Sequence, residues 1–218
     1  MSSLVLCFSG ALQSWGSRSR FSERDTEMEP TRSGVIGLLC SALGRPRTAS
    51  IDDFNGLKMG VRVDREGILI RDFHTALNVR RARGGLKKTE LSNRFYLSDA
   101  VFLVVLEGEM GFLAELDKAL QQPRHPLFLG RKACPPGVPV RVPGGLTEES
   151  IERGLASWPL LGLPKADSGS ELRCVVEAEE GDEVRNDVPI SFELGNRSFA
   201  SRRIKTVWVQ VPDAGGDA

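Results

Sequence analysis

The spacing of apolar residues predicts alternating strands and helices over the first 122 residues. Short apolar runs bounded by turn residues indicate strands, and apolar residues three and four positions apart indicate helices. The predicted strands are Leu4–Phe8, Leu57–Val63, Ile68–Leu77 and Phe95–Leu106, and the predicted helices are Ser33–Leu43 and Gly111–Leu120. This order is typical of the ferredoxin-like (RRM-like) arrangement, an antiparallel sheet with helices on one side, but the pattern does not reveal its last strand.

Residues 123–218 follow a different pattern, because proline and glycine become frequent. The prolines and glycines between Pro123 and Gly145 predict an extended, turn-rich connection rather than a second core. Beyond them the pattern predicts a short helix at Thr147–Ser157 and strands at Leu172–Ala178 and Thr206–Val211. We therefore expect an α+β protein, with a ferredoxin-like domain over residues 1–122 and a smaller β-rich part over residues 123–218.

The helix predicted at Ser33–Leu43 has small residues on one face. Thr31 and Ser33 are both good N-cap residues, and Gly44 followed by Pro46 is a typical helix end. The small residues are Gly34, Gly37 and Ser41. Such a face allows a second backbone or a polymer to come close. An ordinary buried helix with a generic cap is the alternative interpretation.

Phosphate is a possible ligand at the start of this helix. The free N–H groups of a helix N-terminus attract anions. Thr31 and Ser33 add hydroxyl groups and Arg32 adds a cation. These three residues are therefore candidates for binding a phosphate.

Composition excludes several classes of protein. The 218 residues have a net charge of zero, which argues against a simple DNA-coating protein. No apolar run has the length needed to cross a bilayer, and the amino terminus lacks the basic segment of a secretory signal. The four cysteines show no CxxC spacing, and no Walker or dinucleotide motif is present. We therefore expect a cytoplasmic protein with no membrane contact, no metal and no cofactor.

The charges are segregated along the chain. Residues 71–94 contain seven Lys or Arg and two acidic residues, whereas residues 167–187 contain eight acidic residues and two Arg. Residues 78–94 predict an irregular basic excursion with Gly84-Gly85 at its tip. Its cations are Arg80, Arg81, Arg83, Lys87, Lys88 and Arg94. The excursion suits a polyanion, although a solvated basic loop has the same composition.

The loop after the first strand contains residues that could contact unpaired bases. Trp15 could stack on a base, and Gln13 could donate or accept hydrogen bonds at a base edge. Trp15 could equally be a plug that holds the loop in place. Arg18 and Arg20 follow in a connector that also contains acidic residues.

Five segments, in order along the chain, resemble the CRISPR-associated RAMP family. They are PTRSGVIGLL from Pro30, RDFHTAL from Arg71, YLSDAVF from Tyr96, PLFLGRKACP from Pro126 and FASRR from Phe199. Together with the first strand and its loop, the resemblance extends from Leu4 to about Val211. One such segment would be weak evidence, but five in family order are specific.

The resemblance implies a non-catalytic RNA-binding subunit of a Cascade surveillance complex. Such a subunit caps the 5′ handle of the CRISPR RNA (crRNA), and its basic hairpin acts as a thumb that kinks the RNA. The implied neighbours are the backbone RAMP subunit and the large subunit, and target DNA is met only through the assembled complex. The candidate RNA-binding residues are Gln13, Trp15, Arg18, Arg20, Thr31, Arg32, Ser33, His74, Arg80, Arg81, Arg83, Lys87, Lys88, Arg131, Lys132 and Arg202.

The alternative function is a metal-independent endoribonuclease that cuts CRISPR repeats, as relatives in type I-C systems do. Such cleavage needs a base near the 2′-hydroxyl and an acid near the leaving oxygen. The residues that could supply these groups are His74, Lys87, Lys88 and Tyr96. They form no evident motif, so we expect His74 to be structural or to contact RNA.

Overall fold

The computed structural model of the chain describes residues 1–17, 22–81, 83–161 and 171–210. The strands are β1 Ser2–Ser9, β2 Leu12–Gln13, β3 Glu23–Arg24, β4 Lys58–Arg65, β5 Ile68–Arg80, β6 Leu86–Ser98, β7 Val101–Gly108, β8 Arg141–Thr147, β9 Glu171–Glu177, β10 Glu183–Ser191 and β11 Ser198–Gln210. The helices are α1 Arg32–Leu43, α2 Met110–Gln121 and α3 Ile151–Ser157, and Asp52–Gly56 forms a 3-10 turn. None of these helices has the length and hydropathy that a membrane span requires.

Seven strands form one antiparallel sheet in the order β10-β11-β9-β4-β7-β1-β8. Helices α1 and α2 contribute to the larger apolar core on one face, and α3 contributes to the smaller core on the other. Strand β8 pairs with β1, and β9 pairs with β4. Strands from both sides of the boundary predicted at residue 122 therefore belong to the same sheet.

Helix α1 forms as predicted and begins one residue earlier, at Arg32. The Thr31 hydroxyl accepts a hydrogen bond from the Gly34 N–H at 3.3 Å, so Thr31 is the N-cap residue. Gly44 ends the helix in the left-handed conformation, with φ of 74°. The apolar face of α1 packs into the larger core.

Strands β5 and β6 form a long hairpin rather than an irregular excursion. Their register runs without interruption from Ile68 opposite Ser98 to Leu77 opposite Thr89. The tip turns at Gly84 and Gly85, whose φ values are 87° and 80°. The polar composition of residues 78–94 concealed these strands, since strand patterns are usually identified from their apolar residues.

The strand predicted at Phe95–Leu106 is wrong in extent. Its residues belong to two strands, β6 and β7, that separate at Asp99, where φ is 58°. Asp99 is one of two non-glycine residues with positive φ among the described residues. An aspartate tolerates this conformation better than a β-branched residue, and the chain turns there without a glycine.

The C-terminal part contains more sheet than the sequence predicted. Strands β8 and β10 were missed, since β8 lies in the Pro/Gly-rich connection and β10 in the acidic region. Strand β11 begins at Ser198, well before the predicted Thr206. Helix α3 begins at Ile151, because the Ser150 hydroxyl accepts the Arg153 N–H and caps it there.

Candidate nucleic-acid interface

The small-residue face of α1 lines an open cavity of about 600 Å³. Gly34, Gly37 and Ser41 all contribute to its wall, and Phe128 and Phe192 add apolar surface. A Cβ added to Gly37 would have one neighbour within 4 Å, the Phe192 ring at 3.9 Å. The structure thus leaves this part of the helix face open.

A second cavity, of about 430 Å³, opens at the N-terminus of α1. It shares Gly34, Gly130 and Arg197 with the first, and we call the two together the basic cleft. The basic side chains that line the cleft are Arg24, Arg45, Arg47, Arg94, Arg131, Lys132 and Arg197, with His125 at one end. Over the described ranges, no Asp or Glu lines either cavity. The cleft is therefore a concentration of positive charge on a chain of zero net charge.

Two of these cations are already engaged within the protein. Arg45 forms an ion pair with Asp53, with Nη1 and Oδ1 2.8 Å apart. Arg131 donates from Nη2 to the carbonyl oxygens of Arg24 and Asp25 at 2.7 and 2.8 Å, and its guanidinium lies 5.0 Å from the Tyr96 ring centroid. Arg131 therefore braces the cleft wall, contrary to the prediction that it is free to bind phosphate.

Five cations of the cleft have no carboxylate partner among the residues that the structure describes. They are Arg24, Arg47, Arg94, Lys132 and Arg197. Lys132 was predicted from the sequence, and its side chain is exposed. The others were not among the candidate residues. These cations are the groups that an anionic ligand in the cleft could neutralise.

Arg197 has the most central position in the cleft. It lies in the turn between β10 and β11 and lines both cavities, and its guanidinium is 5.2 Å from the Phe199 ring centroid. Burial, followed by the positive charge of Arg47, lowers the pKa of Arg197. A phosphate here would relieve the repulsion between Arg197 and Arg47. No motif surrounds Arg197 in the sequence, and only the folded chain brings it to α1.

Gly130 fixes the loop that forms another wall of the cleft. Its φ is 88°, and an added Cβ would lie 1.8 Å from the Ser14 carbonyl oxygen. The close approach of Gly130 is to the first loop, so a side chain at position 130 would push the two loops apart.

Gln13 and Trp15 are buried, with no exposed side-chain surface. Gln13 donates from Nε2 to the carbonyl oxygens of Phe8 and Ala100 at 3.1 and 2.8 Å, and its Oε1 accepts the Trp15 indole N–H at 3.2 Å. The Trp15 ring stacks on Phe8, with centroids 5.4 Å apart. The structure contradicts the predicted base contacts, because both side chains are satisfied inside the core. The alternative interpretation of Trp15 as a plug is correct.

The N-terminus of α1 already holds an anion, the carboxylate of Asp187. Its Oδ2 accepts the backbone N–H of Arg32 at 2.7 Å. The Arg32 guanidinium is also occupied, since it donates to Glu177 Oε1 at 2.6 Å and to two carbonyl oxygens. Thr31 is buried as the helix cap. The structure therefore contradicts the predicted phosphate contact of Arg32, whereas Thr31 and Ser33 both line the cleft.

Arg202 is likewise unavailable to RNA. It donates from Nε and Nη2 to the two oxygens of Asp187 at 2.6 and 2.8 Å, and from Nη1 to Glu177 at 2.9 Å. Burial would raise the pKa of Asp187, but the hydrogen bonds and charge of Arg202, together with the Arg32 N–H, hold that pKa below its usual value. The acidic region therefore neutralises arginines that the sequence assigned to RNA.

A second group of ion pairs joins the segment before α1 to β9 and β10. Glu29 is buried and pairs with both Arg173, at 3.1 Å, and Arg185. Arg173 also forms a two-point pair with Glu66, and this hydrogen bonding is the main reason that the pKa of Arg173 is raised. These contacts attach the C-terminal strands to the connection that positions α1.

The cations of the hairpin are exposed. Arg80, Arg81, Arg83 and Lys88 have no acidic partner over the described ranges, and Lys87 pairs with Glu90. At the base of the hairpin Arg94 lines the cleft beside Arg24, which it opposes in the β3–β6 pairing. The cations of β6 therefore lie at its two ends, Lys87 and Lys88 near the tip and Arg94 at the cleft, with Glu90 between them. Two other predicted residues, Arg18 and Arg20, lie outside the described residues.

The side chains that could form a nuclease site are not grouped as one. His74 lies on β5, partly exposed, with its Nδ1 3.6 Å from Asp72 Oδ2. Tyr96 is buried, and the Arg131 guanidinium lies over its ring, 5.0 Å from the ring centroid. Tyr96 is therefore not presented to a substrate.

The structure offers no cluster of three or more His, Cys, Asp or Glu for a metal within the described residues. The cysteines Cys7, Cys40, Cys134 and Cys174 are free and buried. Burial raises the pKa of Cys7 and Cys40 to about 11 and that of Cys174 to about 12. These thiols are therefore protonated and unreactive at neutral pH.

A family described as "CRISPR-associated protein (Cas_Cas5)" matches residues 3–212. The chain is 38% identical over 149 residues to "CRISPR system Cascade subunit CasD" of Escherichia coli (strain K12). That alignment covers 61% of this chain and 66% of the relative, slightly less than two thirds of its length.

Two solved structures resemble the chain over nearly its full length. One, titled "Crystal structure of Cas protein", is 40% identical with a TM-score of 0.79, and the match covers 97% of this chain and 98% of that one. The other, titled "CRISPR RNA-guided surveillance complex", is 31% identical with a TM-score of 0.79, over 97% of this chain and 91% of that one.

Proposed function

The chain belongs to the Cas5 family of CRISPR-associated proteins, and we propose that it is a non-catalytic subunit of a Cascade surveillance complex that binds the 5′ handle of the crRNA. The observation that carries the proposal is the basic cleft, which has five unpaired cations and no lining carboxylate among the described residues. A polyanion is the ligand that such a surface attracts.

The shape of the cleft favours a single strand over a duplex. It follows one face of α1, a helix of 12 residues, and combines cations with the aromatic rings of Phe128 and Phe192. Single-stranded RNA is bound by this combination, with phosphates on the cations and unstacked bases on the rings. The open part of the helix face at Gly37 provides the room for the backbone of the strand.

In this proposal the hairpin is the thumb that kinks the RNA. Its exposed cations lie near the tip, and Arg94 at its base lines the cleft. The strand order β8-β1-β7-β4, with α1 and α2 on one face, supports assigning this part of the sheet to the ferredoxin-like arrangement. The last strand of that arrangement is then β8, so we place the end of the domain after Thr147 rather than at residue 122.

The proposed partners are the backbone RAMP subunit and the large subunit of the complex, in the cytoplasm. A relative named as a Cascade subunit, and a fold match to a chain of a surveillance complex, support an assembly of this kind. Target DNA would meet the chain only through that assembly, because base pairing with the guide supplies the sequence specificity.

The test is incubation of the purified chain with labelled CRISPR repeat RNA and crRNA handle in EDTA, read on native and denaturing gels. The proposal expects a shifted and intact RNA. Cleavage that persists in EDTA and is lost in His74→Ala would instead establish the endoribonuclease. If the isolated chain does not shift the RNA, the same RNA is probed in the complex purified with its other subunits. Absence of contact there overturns the proposal.

A further inference from the structure

His125 lies at one end of the basic cleft and is one of the two histidines of the chain. The residue is exposed, and its imidazole has no hydrogen-bond or ion-pair partner within the part of the chain that the structure describes. The other histidine, His74, lies on the hairpin beside Asp72. Because histidine is the side chain that changes its charge between about pH 5 and 8, His125 gives the cleft a cation that depends on pH.

The backbone holds His125 at the C-terminus of α1. The N–H groups of Arg124 and His125 donate to the carbonyl oxygens of Ala42 and Ser41 at 2.9 and 3.2 Å, in the last turn of the helix. Pro126 restricts the conformation of the residue that precedes it. The C-terminal carbonyl groups of a helix favour a cation close to them. The fold therefore fixes His125 beside the cleft, at a helix end that suits the charged imidazole.

The charged side chains that share this cavity with His125 are all cations. They are Arg45, Arg47, Lys132 and Arg197, and they come from three different parts of the chain. Over the described ranges no Asp or Glu lines the cavity, and the carboxylate of Asp53 is occupied by Arg45. On the segment of His125 itself, Arg124 packs against Gly44. A further titratable group of the wall is Cys40, and burial raises its pKa to about 11.

A phosphate in the cleft binds the charged imidazole better than the neutral one. The charged ring donates from both nitrogens and adds a positive charge, whereas the neutral ring has one donor and no charge. Hydrogen bonds between a charged donor and a phosphate oxygen are the stronger ones. By linkage, a ligand that prefers the protonated form of a group promotes the uptake of a proton when it binds.

We propose that His125 is a phosphate-binding residue of the basic cleft and that RNA binding there takes up a proton on its imidazole. A lower pH increases the fraction of charged imidazole, so the affinity for RNA increases as the pH falls from about 7.5 to about 5.5. This inference rests on the proposed function and adds to it a binding residue and a dependence on pH.

The first experiment measures RNA affinity at the two pH values and at constant salt, because salt alone changes such affinities. The probe is a rhodamine-labelled single strand of the crRNA handle without terminal phosphates, read by fluorescence anisotropy. We expect the wild type to bind about fivefold more tightly at the lower pH, the upper range for an exposed ion pair. His125→Gln should lose this ratio. His125→Arg should bind at the higher pH as the wild type does at the lower one.

His74→Gln is the matched variant for the other histidine. Its readout is the ratio of affinities at the two pH values, which should stay at about fivefold because His74 lies outside the cavity. The melting temperature of each variant is measured at both pH values, so that a change in folding is separated from a change in binding.

Two results would overturn the inference. One is an equal affinity of the wild type at the two pH values. The other is a fivefold ratio that persists in His125→Gln, which would assign the proton to a different group. If the isolated chain does not bind RNA, the same series is measured in the complex purified with its other subunits. If RNA is not bound there at either pH, it is the proposed function that fails.

A second measurement detects the proton directly. The wild type is titrated with the same RNA in a calorimeter at about pH 6.5, in two buffers that differ in their enthalpy of ionisation. We expect the two heats of binding to differ by an amount that corresponds to the uptake of a fraction of one proton. The difference should vanish in His125→Gln. Equal heats for the wild type in the two buffers would refute the proposal.

Discussion

Asp187 accepts the backbone N–H of Arg32 at 2.7 Å, across 155 positions of the chain. The carboxylate of β10 thereby occupies the helix N-terminus at which the sequence predicted a phosphate. The same carboxylate holds Arg202 by two further hydrogen bonds. Together with Glu177, which pairs with the guanidinium groups of both Arg32 and Arg202, Asp187 explains why these two predicted RNA-binding arginines are structural.

The Asp187→Asn variant should be strongly destabilised. Removing one member of a buried pair takes the two-point partner from Arg202, leaves it with Glu177 alone, and weakens the cap of α1, at a cost of about 3–5 kcal/mol. Urea unfolding followed by circular dichroism measures the change in the free energy of unfolding. A change below about 1 kcal/mol would mean that Asp187 does not hold the two elements together.

Acid should destabilise the wild type through the same carboxylate. The pKa of Asp187 is lowered in the folded state, so its contribution is complete above its unfolded pKa of about 4. The contribution is lost as the pH falls from there through the lower folded pKa. The free energy of unfolding should therefore decrease more steeply below about pH 4 in the wild type than in Asp187→Asn. Equal slopes would contradict the assigned ion pair.

The Arg197→Ala variant should bind handle RNA about tenfold more weakly, because it removes the cation that lines both cavities of the cleft. For a single strand, each phosphate that the protein no longer neutralises reduces the slope of log K against log salt by about 0.7. Fluorescence anisotropy at several salt concentrations measures both effects. The matched control is Arg153→Ala, an exposed arginine of α3 outside the cleft, and it should change neither.

Reversal of three hairpin cations should weaken RNA binding more than the loss of a paired lysine. The variant Arg80→Glu/Arg81→Glu/Arg83→Glu places acidic groups on the proposed path of the RNA. The control Lys87→Ala removes a cation that already pairs with Glu90 and should change the affinity less than twofold. Equal affinities for the triple variant and the wild type would remove the hairpin from the RNA interface.

The Trp15→Ala variant should have a lower free energy of unfolding. The loss comes from packing in the core, because Trp15 does not stack on an RNA base. Removing a fully buried tryptophan from its contacts with Phe8 and Gln13 costs about 3–5 kcal/mol. Trp15→Phe retains most of the packing and should keep the RNA affinity of the wild type. A large loss of affinity in Trp15→Phe at unchanged stability would restore the base contact that the structure contradicts.

The sequence predicted the elements whose apolar residues repeat at a regular spacing. Helix α1 was placed within one residue, because its cap, its apolar face and its C-terminal glycine all lie within 14 positions. Strands β8 and β10 were missed, since prolines, glycines and acidic residues mask their pattern. The pairing of β8 with β1 also joins distant parts of the chain, which local pattern does not contain, whereas β10 pairs with the next strand, β11.

The site was predictable in its chemistry but less so in its individual residues. The small face of α1 and the basic hairpin were evident from composition. The ionic partners of Arg32 and Arg202 were not evident from composition, because Glu177 and Asp187 are far from Arg32 in the sequence. Arg197 was missed for the same reason. A charged residue shows whether it is free or paired only when the fold has brought its neighbours to it.

The position of Arg197 between β10 and β11 determines when the binding surface is complete during synthesis. The early part of the chain supplies α1 and the hairpin, but Arg197 and the strands that hold it are translated last. A nascent or truncated chain that ends before β10 lacks Arg197 and leaves Arg32 without Asp187. In the proposed function, a chain that ends before β10 would therefore bind the crRNA handle more weakly, because it lacks the cation that lines both cavities of the cleft.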